Sequence, residues 1–458
     1  MIKIIPMRQN KTIQLLFIVF FMQIFCTVYS QDKWSLERCI IYALENNIQI
    51  KQQELDTRVK ENALLQAKID LLPSLNGSYS QSYSNGRTLD PTTYTFTENQ
   101  TNVSGNIGAS SQLDVFSGLQ KINTIQQNQF DLKASLKDLE KLKNDISLNI
   151  AASYLQILLN TELMTAATSQ YDVSLQQVER TEKLVVSGSL PRASLLEIQA
   201  QAAADELKVV NAQNSIDLSY LTLVQLLELE STKNFEIEIP VIELTDTNDI
   251  ITDLDQIYEV SQGILPQIKS AEYKLRSAQK FLCVAKSGYS PRISVTGNIG
   301  SLYSDARELI PGVTYPTRDQ LSDNFSKSLS FTINVPIFNG WYVNNSVSNA
   351  KISIQNYRYN LEYSKNLLYK EIQQAYADAR AALKKYKASE KALVAMEESF
   401  KYTTQRFEVG LVNTVDYNTA SNQLAITRSD LLQSKYEYIF KIKILDFYQG
   451  KPLSLKMN

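Results

Sequence analysis

The stretch FEVGLVNTVD, residues 407–416, interrupts one long helical pattern with a glycine and starts another directly afterwards. The stretch KLVVSGSLP, residues 183–191, does the same in the first half of the chain. Glycine readily adopts the left-handed conformation in which many helices end, so Gly188 and Gly410 each predict a turn between two helices. The two glycines lie 222 residues apart. This spacing predicts two copies of one structural unit.

Other positions follow the same offset. It pairs Phe116 with Phe338, Gly118 with Gly340, Tyr154 with Tyr376, Gln201 with Gln423 and Leu223 with Leu445. Nearer the N-terminus the offset is 218, which pairs Ala67 with Ala285 and Pro73 with Pro291. A change of length confined to one interval is what a loop tolerates. The chain is therefore predicted to be a tandem duplication, with a first repeat at 31–230, a linker at 231–255, a second repeat at 256–450 and a tail at 451–458.

The N-terminal residues predict a secretory signal peptide. Three basic residues precede an apolar run from Ile13 to Phe25, and small or polar residues follow it up to Ser30. This is the order of a cleaved leader, so residues 1–30 are predicted to be removed. An alternative is lipid attachment at Cys26, although Phe25 is bulky where a small residue is expected before a lipidated cysteine.

Composition excludes several functional classes. The chain has no His, which rules out Ser-His and Cys-His nucleophile pairs and histidine metal sites. No enzyme activity, cofactor or metal is therefore expected, and the formal net charge of −2 favours no nucleic-acid site. Only 14 Gly and 11 Pro in 458 residues indicate long helices. Cys39 and Cys283 are predicted to lie too far apart for a disulfide.

Each repeat is predicted to contain a helix followed by a β-hairpin. In the first repeat the helix covers 35–70 and the hairpin 74–116; in the second the hairpin covers 292–338, with strands near 293–299 and 325–337 around a loop at 304–323. Apolar residues alternate with Ser, Thr and Asn in these strands. They are long enough to cross a bilayer, although a soluble hairpin packed on a helix is the alternative. Four strands cannot close a barrel alone, so several chains would have to cooperate.

A helix of unusual length follows each hairpin. The patterns predict helices from Lys121 to Ser187 and from Tyr342 to Val409, each about 100 Å long at 1.5 Å per residue. Partner helices run back from Arg192 to about Glu230 and from Asp416 to about Tyr448. Residues 235–240 are predicted to form a strand. Such helices fit a coiled-coil scaffold or a helical wall around a cavity; a hydrolase with a carboxylate pair is a third possibility that no paired acids support.

The combination of a leader, a duplicated helix, hairpin and long-helix unit, and the turn VGLVNTVD at 409–416 resembles the TolC family of outer-membrane efflux proteins. The resemblance covers the chain from Trp34 to its last helix. It implies a mostly helical protein with a transmembrane β-barrel. Three identical chains would contribute four strands each to a shared twelve-stranded barrel, and their long helices would form a tunnel through the periplasm.

The same resemblance implies the function. The protein would be the outer-membrane exit duct of a tripartite efflux or type I secretion system, passively conducting solutes from an inner-membrane transporter. A periplasmic adaptor, or membrane fusion protein, would meet the helical tips formed by Gly188, Ser189 and Leu190 and by Gly410, Leu411 and Val412. A periplasmic coiled-coil scaffold without a pore is the alternative function.

The resemblance also implies a constriction formed by acidic residues after the second turn. Asp416 matches the first such position, whereas Thr419 takes the second; the first-repeat equivalents are Ser194 and Glu197. A periplasmic aperture made by Asp416, joined by Glu197, is therefore expected. Alternatively, Asp416 only stabilises the first turn of its helix, with Asn413 or Thr414 as the N-cap. The two roles are compatible.

Overall fold

A computed structural model describes residues 33–87, 89, 94–96, 100–233, 235–240, 253–310 and 313–455. The expected leader, Cys26 and part of the linker lie outside these residues. The first repeat contains α1 (Leu36–Asn46), α2 (Ile48–Ile69), β1 (Ser74–Gly86), β2 (Gln100–Phe116), α3 (Gln120–Val186) and α4 (Arg192–Leu226). The second contains α5 (Leu254–Ile264), α6 (Pro266–Lys286), β3 (Arg292–Ser304), β4 (Glu308–Ile310), β5 (Val313–Thr314), α7 (Thr317–Asp323), β6 (Ser326–Asn334), α8 (Tyr342–Glu408) and α9 (Thr414–Tyr448).

The long elements of the two halves follow the same order, and in the second half β4, β5 and α7 lie between the two strands of the hairpin. Helices α3 and α8 both contain 67 residues, and α4 and α9 both contain 35. The ends of α8 and α9 lie 222 residues after those of α3 and α4, and the ends of α5 lie 218 residues after those of α1. The offsets found in the sequence therefore relate equivalent positions of folded elements.

The single helix expected over 35–70 is wrong, because the chain breaks at Asn47. This residue has an extended backbone, with φ −60° and ψ 130°, and separates α1 from α2. Its Oδ1 accepts from the backbone N–H of Gln49 at 2.9 Å, which caps α2, and its Nδ2 donates to the carbonyl of Leu226 at 3.3 Å. The break thus places the start of α2 directly against the end of α4.

The four long strands form one antiparallel sheet in the order β1-β2-β3-β6. Both predicted hairpins, β1-β2 and β3-β6, are present, and the β2-β3 pair joins the two repeats. The last strand is shorter than the alternation predicted, since β6 ends at Asn334. Pro336 lacks a backbone N–H and so cannot extend the ladder.

The sheet has two chemically different faces. One carries large apolar side chains, including Leu75, Tyr79, Ile299, Leu329 and Phe331, and Phe331 is 72% exposed in the single chain. The opposite face of the same strands carries mainly Ser, Thr, Asn and Gly. Strand residues alternate between faces, so a sheet closed into a barrel would present one face to lipid and the other to the lumen.

The interval 304–323, predicted to be a loop, is partly regular. It contains the short β4-β5 pair and helix α7. Gln320 of α7 is buried: its Oε1 accepts from the backbone N–H of Ser304 at 2.9 Å, and its Nε2 donates to the Ser304 carbonyl at 2.8 Å. One amide therefore fastens α7 to the end of β3. Sequence periodicity does not reveal such a contact.

The long helices form a wall of four columns. Helix α3 packs against α2, α4, α6 and α9, and α8 packs against α6 and α9. Helix α2 starts where α4 ends, so these two helices follow one another in a single column. Helices α6 and α9 share a column in the same way, because Ser261 of α5, just before α6, donates to the last carbonyl of α9 at 2.6 Å. The order of the columns is therefore α2 with α4, then α3, then α6 with α9, then α8. One core surrounds Ile150, Tyr154 and Leu158 of α3, and a second surrounds Leu368 and Ile372 of α8.

Three smaller features complete the fold. The strand expected at 235–240 is wrong: Ile237 makes only an isolated parallel bridge to Trp34. Cys39 is buried, Cys283 is half-buried, and both are free thiols, in agreement with the expected absence of a disulfide. No helix in the described residues combines the length and the apolar character needed to span a membrane.

Candidate functional site: the helical tips

Both hairpins of long helices end in the same glycine turn. Gly188 and Gly410 each have a φ of +77°, a conformation that costs glycine little and other residues more. The backbone N–H of Ser189 donates to the Leu184 carbonyl at 2.8 Å, and the N–H of Leu411 donates to the Arg406 carbonyl at 2.9 Å. These bonds satisfy carbonyls that the helix ends would leave open, so both predicted turns are confirmed.

The turns present small and apolar groups to solvent. Gly188, Ser189, Gly410 and Leu411 are exposed, with Leu411 at 71%; Leu190 and Val412 are half-buried. Arg180 at the end of α3 pairs with Glu408 at the end of α8, with 2.9 Å between Nη1 and Oε1. The two tips therefore lie side by side in one chain and form a single surface.

The predicted aperture residues lie close to these tips. Asp416 is exposed in the first turn of α9, and its backbone N–H donates to Asn413 Oδ1 at 2.8 Å. Of the two candidates for the cap, Asn413 is thus the one that acts. Glu197 is exposed in the second turn of α4. Within the part of the chain that the structure describes, neither carboxylate takes part in a side-chain hydrogen bond or ion pair.

An aromatic cluster holds α9 against α8 just above the second tip. The ring of Tyr417 stacks on Phe407 with 4.6 Å between centroids and lies 5.5 Å from Phe400. Tyr417 is 6% exposed, although its neighbour Asp416 is open to solvent. Packing at Tyr417 therefore fixes the direction in which the Asp416 side chain leaves the helix.

A polar cluster further up the hairpins was not predicted. Asp205 of α4 has a fully buried side chain, and its carboxylate accepts hydrogen bonds from Ser174 Oγ at 2.6 Å, Lys208 Nζ at 2.8 Å and Gln201 Nε2 at 3.2 Å. Gln201 and Lys208 also reach Asn422 Oδ1 of α9, at 3.1 and 3.0 Å. We call these five residues the Asp205 cluster. It ties the first hairpin to the second.

A weak signal for this cluster was present in the sequence. Ile198 and Ala202 are buried on α4, and Asp205 continues their three- and four-residue spacing, so an acid falls on an apolar stripe. Gln201 and Lys208 lie four residues before and three after it, where helical neighbours can reach. The contribution of Asn422, 221 residues further on, has no local signal.

Comparison with known proteins agrees with this architecture. Among curated proteins, the chain is 24% identical to the outer membrane protein OprJ of Pseudomonas aeruginosa over 409 residues, covering 83% of this chain and 77% of OprJ. It is 23% identical to toxin and drug export protein A of Aggregatibacter actinomycetemcomitans, covering 88% and 83%. The crystal structure of the outer membrane protein VceC from Vibrio cholerae matches with a TM-score of 0.77 at 18% identity, covering 91% of this chain and 96% of VceC.

The family model for outer membrane efflux proteins matches residues 40–228 and 264–441. These two segments contain α3 and α4 in the first repeat and α8 and nearly all of α9 in the second, and thus both glycine turns. The match to VceC covers 91% of this chain and therefore supports the same fold for both the sheet and the helical wall. On this combined sequence and structural basis, the chain belongs to the outer membrane efflux protein family.

Proposed function

We propose that three copies of this chain close into a ring, with a twelve-stranded barrel in the outer membrane and a helical tunnel in the periplasm. As a member of its family the protein is an exit duct of the outer membrane, and this membership favours the duct over the scaffold without a pore and over the hydrolase. One observation supports the ring. The surfaces that join the two repeats inside one chain have repeat equivalents at the two outer edges of the chain, and these equivalents have no partner among the described residues.

The sheet provides the first half of this argument. Inside the chain, β2 of the first repeat pairs with β3 of the second over residues 104–116. The equivalent of β2 is β6 and the equivalent of β3 is β1, and these are the two edge strands. An edge strand exposes a row of backbone donors and acceptors. If β6 of one copy pairs with β1 of the next, the internal pattern repeats around a closed barrel without edges.

The helices repeat the same relation. Inside the chain, Phe130 of α3 stacks on Tyr273 of α6 with 6.3 Å between ring centroids. The equivalent positions are Ile352 of α8 and Leu55 of α2, which are 66% and 58% exposed. Each belongs to a stripe of exposed apolar side chains at seven- and four-residue spacing, which is Ile48, Leu55 and Val59 on α2 and Ile352, Tyr359 and Tyr363 on α8. A contiguous exposed apolar surface of this kind marks an interface. Contact between Ile352 of one copy and Leu55 of the next would bury both and place α2 against α8.

Cross-linking tests this ring. With cysteines at Leu55→Cys and Ile352→Cys in one chain, a short bifunctional thiol reagent is expected to join chains in a ladder that ends at three. The single variants keep the native Cys39 and Cys283 and serve as matched controls that should remain uncross-linked. A ladder that continues beyond three chains, or its absence in detergent-purified protein, would contradict the proposed ring.

The orientation follows from the two faces of the sheet. The apolar face would contact lipid, and the Ser- and Asn-rich face would line the lumen. The helical tips would then point into the periplasm, where Gly188, Ser189 and Leu190 and Gly410, Leu411 and Val412 would meet the adaptor. The adaptor would join the duct to an inner-membrane transporter, which supplies the energy for transport.

The Asp416 side chains of three copies would surround the axis near the tips, with Glu197 close to them. Three carboxylates in a narrow opening attract cations, so Asp416→Ala is expected to raise the conductance. It should also weaken blockade by divalent cations about tenfold, which corresponds to about 1.4 kcal/mol of lost binding. Single-channel recordings in planar bilayers measure both quantities.

Two variants separate the aperture role from the helical one. Thr419→Ala changes the next position on the same helix face without removing charge, and Glu197→Gln tests whether Glu197 joins the ring. If Asp416→Ala leaves conductance and cation blockade unchanged, Asp416 serves only the first turn of α9, where Asn413 already provides the cap.

A further inference from the structure

The inner contact between α3 and α9 has a defined set of partners. Leu158 of α3 and Ile439 of α9 are each 1% exposed and belong to the same core. One turn closer to the tips, Tyr436 donates through its hydroxyl to Glu162 Oε1 at 2.6 Å, with Lys435 Nζ 3.4 Å from the same oxygen. Because α3 and α9 run antiparallel, the turn before Glu162 on α3 lies opposite the turn after Tyr436 on α9, which places Leu158 at the level of Ile439. The contact is thus apolar at this level, with a polar end at Glu162.

The repeat defines an equivalent contact between copies. The residue numbers of α8 are those of α3 plus 222, and the residue numbers of α4 are those of α9 minus 222. Helices α8 and α4 are therefore the repeat equivalents of α3 and α9. The column order in one chain ends with α8 and begins again with α2/α4, so α8 of one copy faces α4 of the next. We call this contact the intersubunit seam. Its existence rests on the proposed ring of three chains.

The residues change character at this seam. The repeat equivalent of Leu158 is Arg380, that of Glu162 is Lys384, and that of Ile439 is Asp217. All three are exposed in the single chain, whereas Leu158 and Ile439 are buried. The inner contact has the aliphatic side chains of Leu158 and Ile439. At the equivalent level of the seam, the guanidinium of Arg380 would face the carboxylate of Asp217. Lys384 adds a second cation one turn away.

Among the described residues, both charged groups make only local contacts, which leave them open to a further partner. Asp217 Oδ1 accepts from Gln213 Nε2 at 2.9 Å, one turn earlier on α4. The guanidinium of Arg380 lies over the ring of Tyr376, 5.8 Å from its centroid, one turn earlier on α8. A carboxylate accepts several hydrogen bonds and a guanidinium donates up to five, so neither contact exhausts its group.

We propose that Arg380 of one copy and Asp217 of the next form an ion pair that replaces the inner Leu158–Ile439 contact and joins neighbouring copies along the tunnel. Three such pairs surround the ring, one at each seam. Because an ion pair is weakened by salt and an aliphatic contact is not, the seams between copies respond to ionic strength and the inner contacts do not. The tunnel wall therefore separates more easily between copies than within one.

Charge reversal tests the pair. Asp217→Arg alone and Arg380→Asp alone are each expected to reduce about tenfold the trimer that survives heating in detergent at about 0.1 M salt, because like charges then meet at three seams. The double variant restores opposite charges and is expected to recover most of the loss. In about 1 M salt the differences should shrink, since the screening length falls to about 3 Å.

Ser215→Arg is the matched control on the same helix. Ser215 is exposed and lies about 160° around α4 from Asp217, and its repeat equivalent, Glu437, pairs with Lys385 inside the second hairpin. This added cation should leave trimer survival unchanged. A cysteine pair at Asp217→Cys and Arg380→Cys should also cross-link neighbouring chains, and neither single variant should.

The outcomes separate this inference from the ring itself. If Leu55→Cys and Ile352→Cys cross-link into threes but the 217–380 cysteines do not, and the double reversal gives no recovery, the ion pair is overturned and the ring stands. If neither cysteine pair cross-links and the purified chain is a monomer, the ring and the ion pair both fail. Recovery in the double reversal together with cross-linking at 217–380 supports the ion pair.

Discussion

Replacing Asp205 by alanine is expected to lower the stability of the paired hairpins by about 2–4 kcal/mol. The side chain is fully buried and receives hydrogen bonds from Ser174, Gln201 and Lys208. Removing the carboxylate leaves the buried Ser174 hydroxyl without its acceptor and leaves Gln201 and Lys208 with Asn422 Oδ1 alone, and breaking a buried ion pair costs about 3–5 kcal/mol. We extend the expected loss of stability down to about 2 kcal/mol because Lys208 is half-exposed, and its ammonium group can be hydrated once the carboxylate is gone.

Thr427→Ala is the matched control, because Thr427 occupies the equivalent position in the second repeat and is also buried. Its only hydrogen bond to a described residue is the one that its hydroxyl donates to the Gln423 carbonyl of its own helix, so its loss should cost about 1 kcal/mol. Thermal unfolding in detergent and amide hydrogen exchange along α4 measure the difference. Equal effects of the two substitutions would show that the Asp205 cluster contributes no special stability.

The same residue predicts a pH dependence. Burial raises the pKa of Asp205, but the hydrogen bonds from Lys208, Ser174 and Gln201 outweigh it, so the net pKa is lowered. A carboxyl whose pKa is lower in the folded state stabilises the fold above its unfolded pKa of about 3.9 and loses this contribution as pH falls through the folded value. The stability gap between native protein and Asp205→Ala should therefore be constant above about pH 5 and narrow below about pH 4. A gap unchanged at low pH would contradict a stabilised carboxylate.

Replacing Tyr154 by alanine is expected to cost about 3–5 kcal/mol, the range for removing a large aromatic side chain from a core. Tyr154 is 1% exposed at the centre of the first core. Its hydroxyl lies 2.6 Å from the Glu238 carbonyl and 3.1 Å from the Trp34 carbonyl. This one side chain therefore joins α3 to the segment after α4 and to the residues before α1.

Two variants resolve the components of that effect. Tyr154→Phe keeps the ring and removes only the hydroxyl, so it should cost about 1–2 kcal/mol and loosen the segment around Trp34. Tyr376→Ala changes the half-buried equivalent in the second repeat and should cost less than Tyr154→Ala. Trp34 emission in a Trp341→Phe background reports the local change. A Tyr154→Phe variant as damaging as Tyr154→Ala would mean that the hydroxyl, not the packing, dominates.

Local patterns were sufficient for the long elements. The predicted helices starting at Lys121 and Tyr342 agree within one residue with α3 and α8, because the apolar spacing continues without interruption up to a glycine. The β-hairpins were also recognisable from alternation. The break at Asn47 was missed, since Asn47 is stabilised there partly by the Leu226 carbonyl, 179 residues away. Gln320 and α7 were missed for the same reason.

The candidate site divides in the same way. The turns at Gly188 and Gly410 were predicted because a glycine with positive φ leaves a mark in the sequence. Asp416 was placed in the first turn of α9, and the choice of Asn413 over Thr414 as cap required the hydrogen bond itself. The roles of Asp416 and Glu197 in an aperture remain proposals, since they depend on distances between separate chains.

The sequence by itself determined the duplication, the lengths of the helices, the alternating strands and the family, since each of these is written in periodic spacing or in turn residues within a few positions. Only the tertiary structure decided which contacts tie the two repeats together. Asp205 with Asn422, Tyr154 with Glu238, and β2 with β3 join residues that lie far apart along the chain. Their partners are chosen by packing in space, and a one-dimensional pattern carries no signal for a neighbour that folding alone brings near.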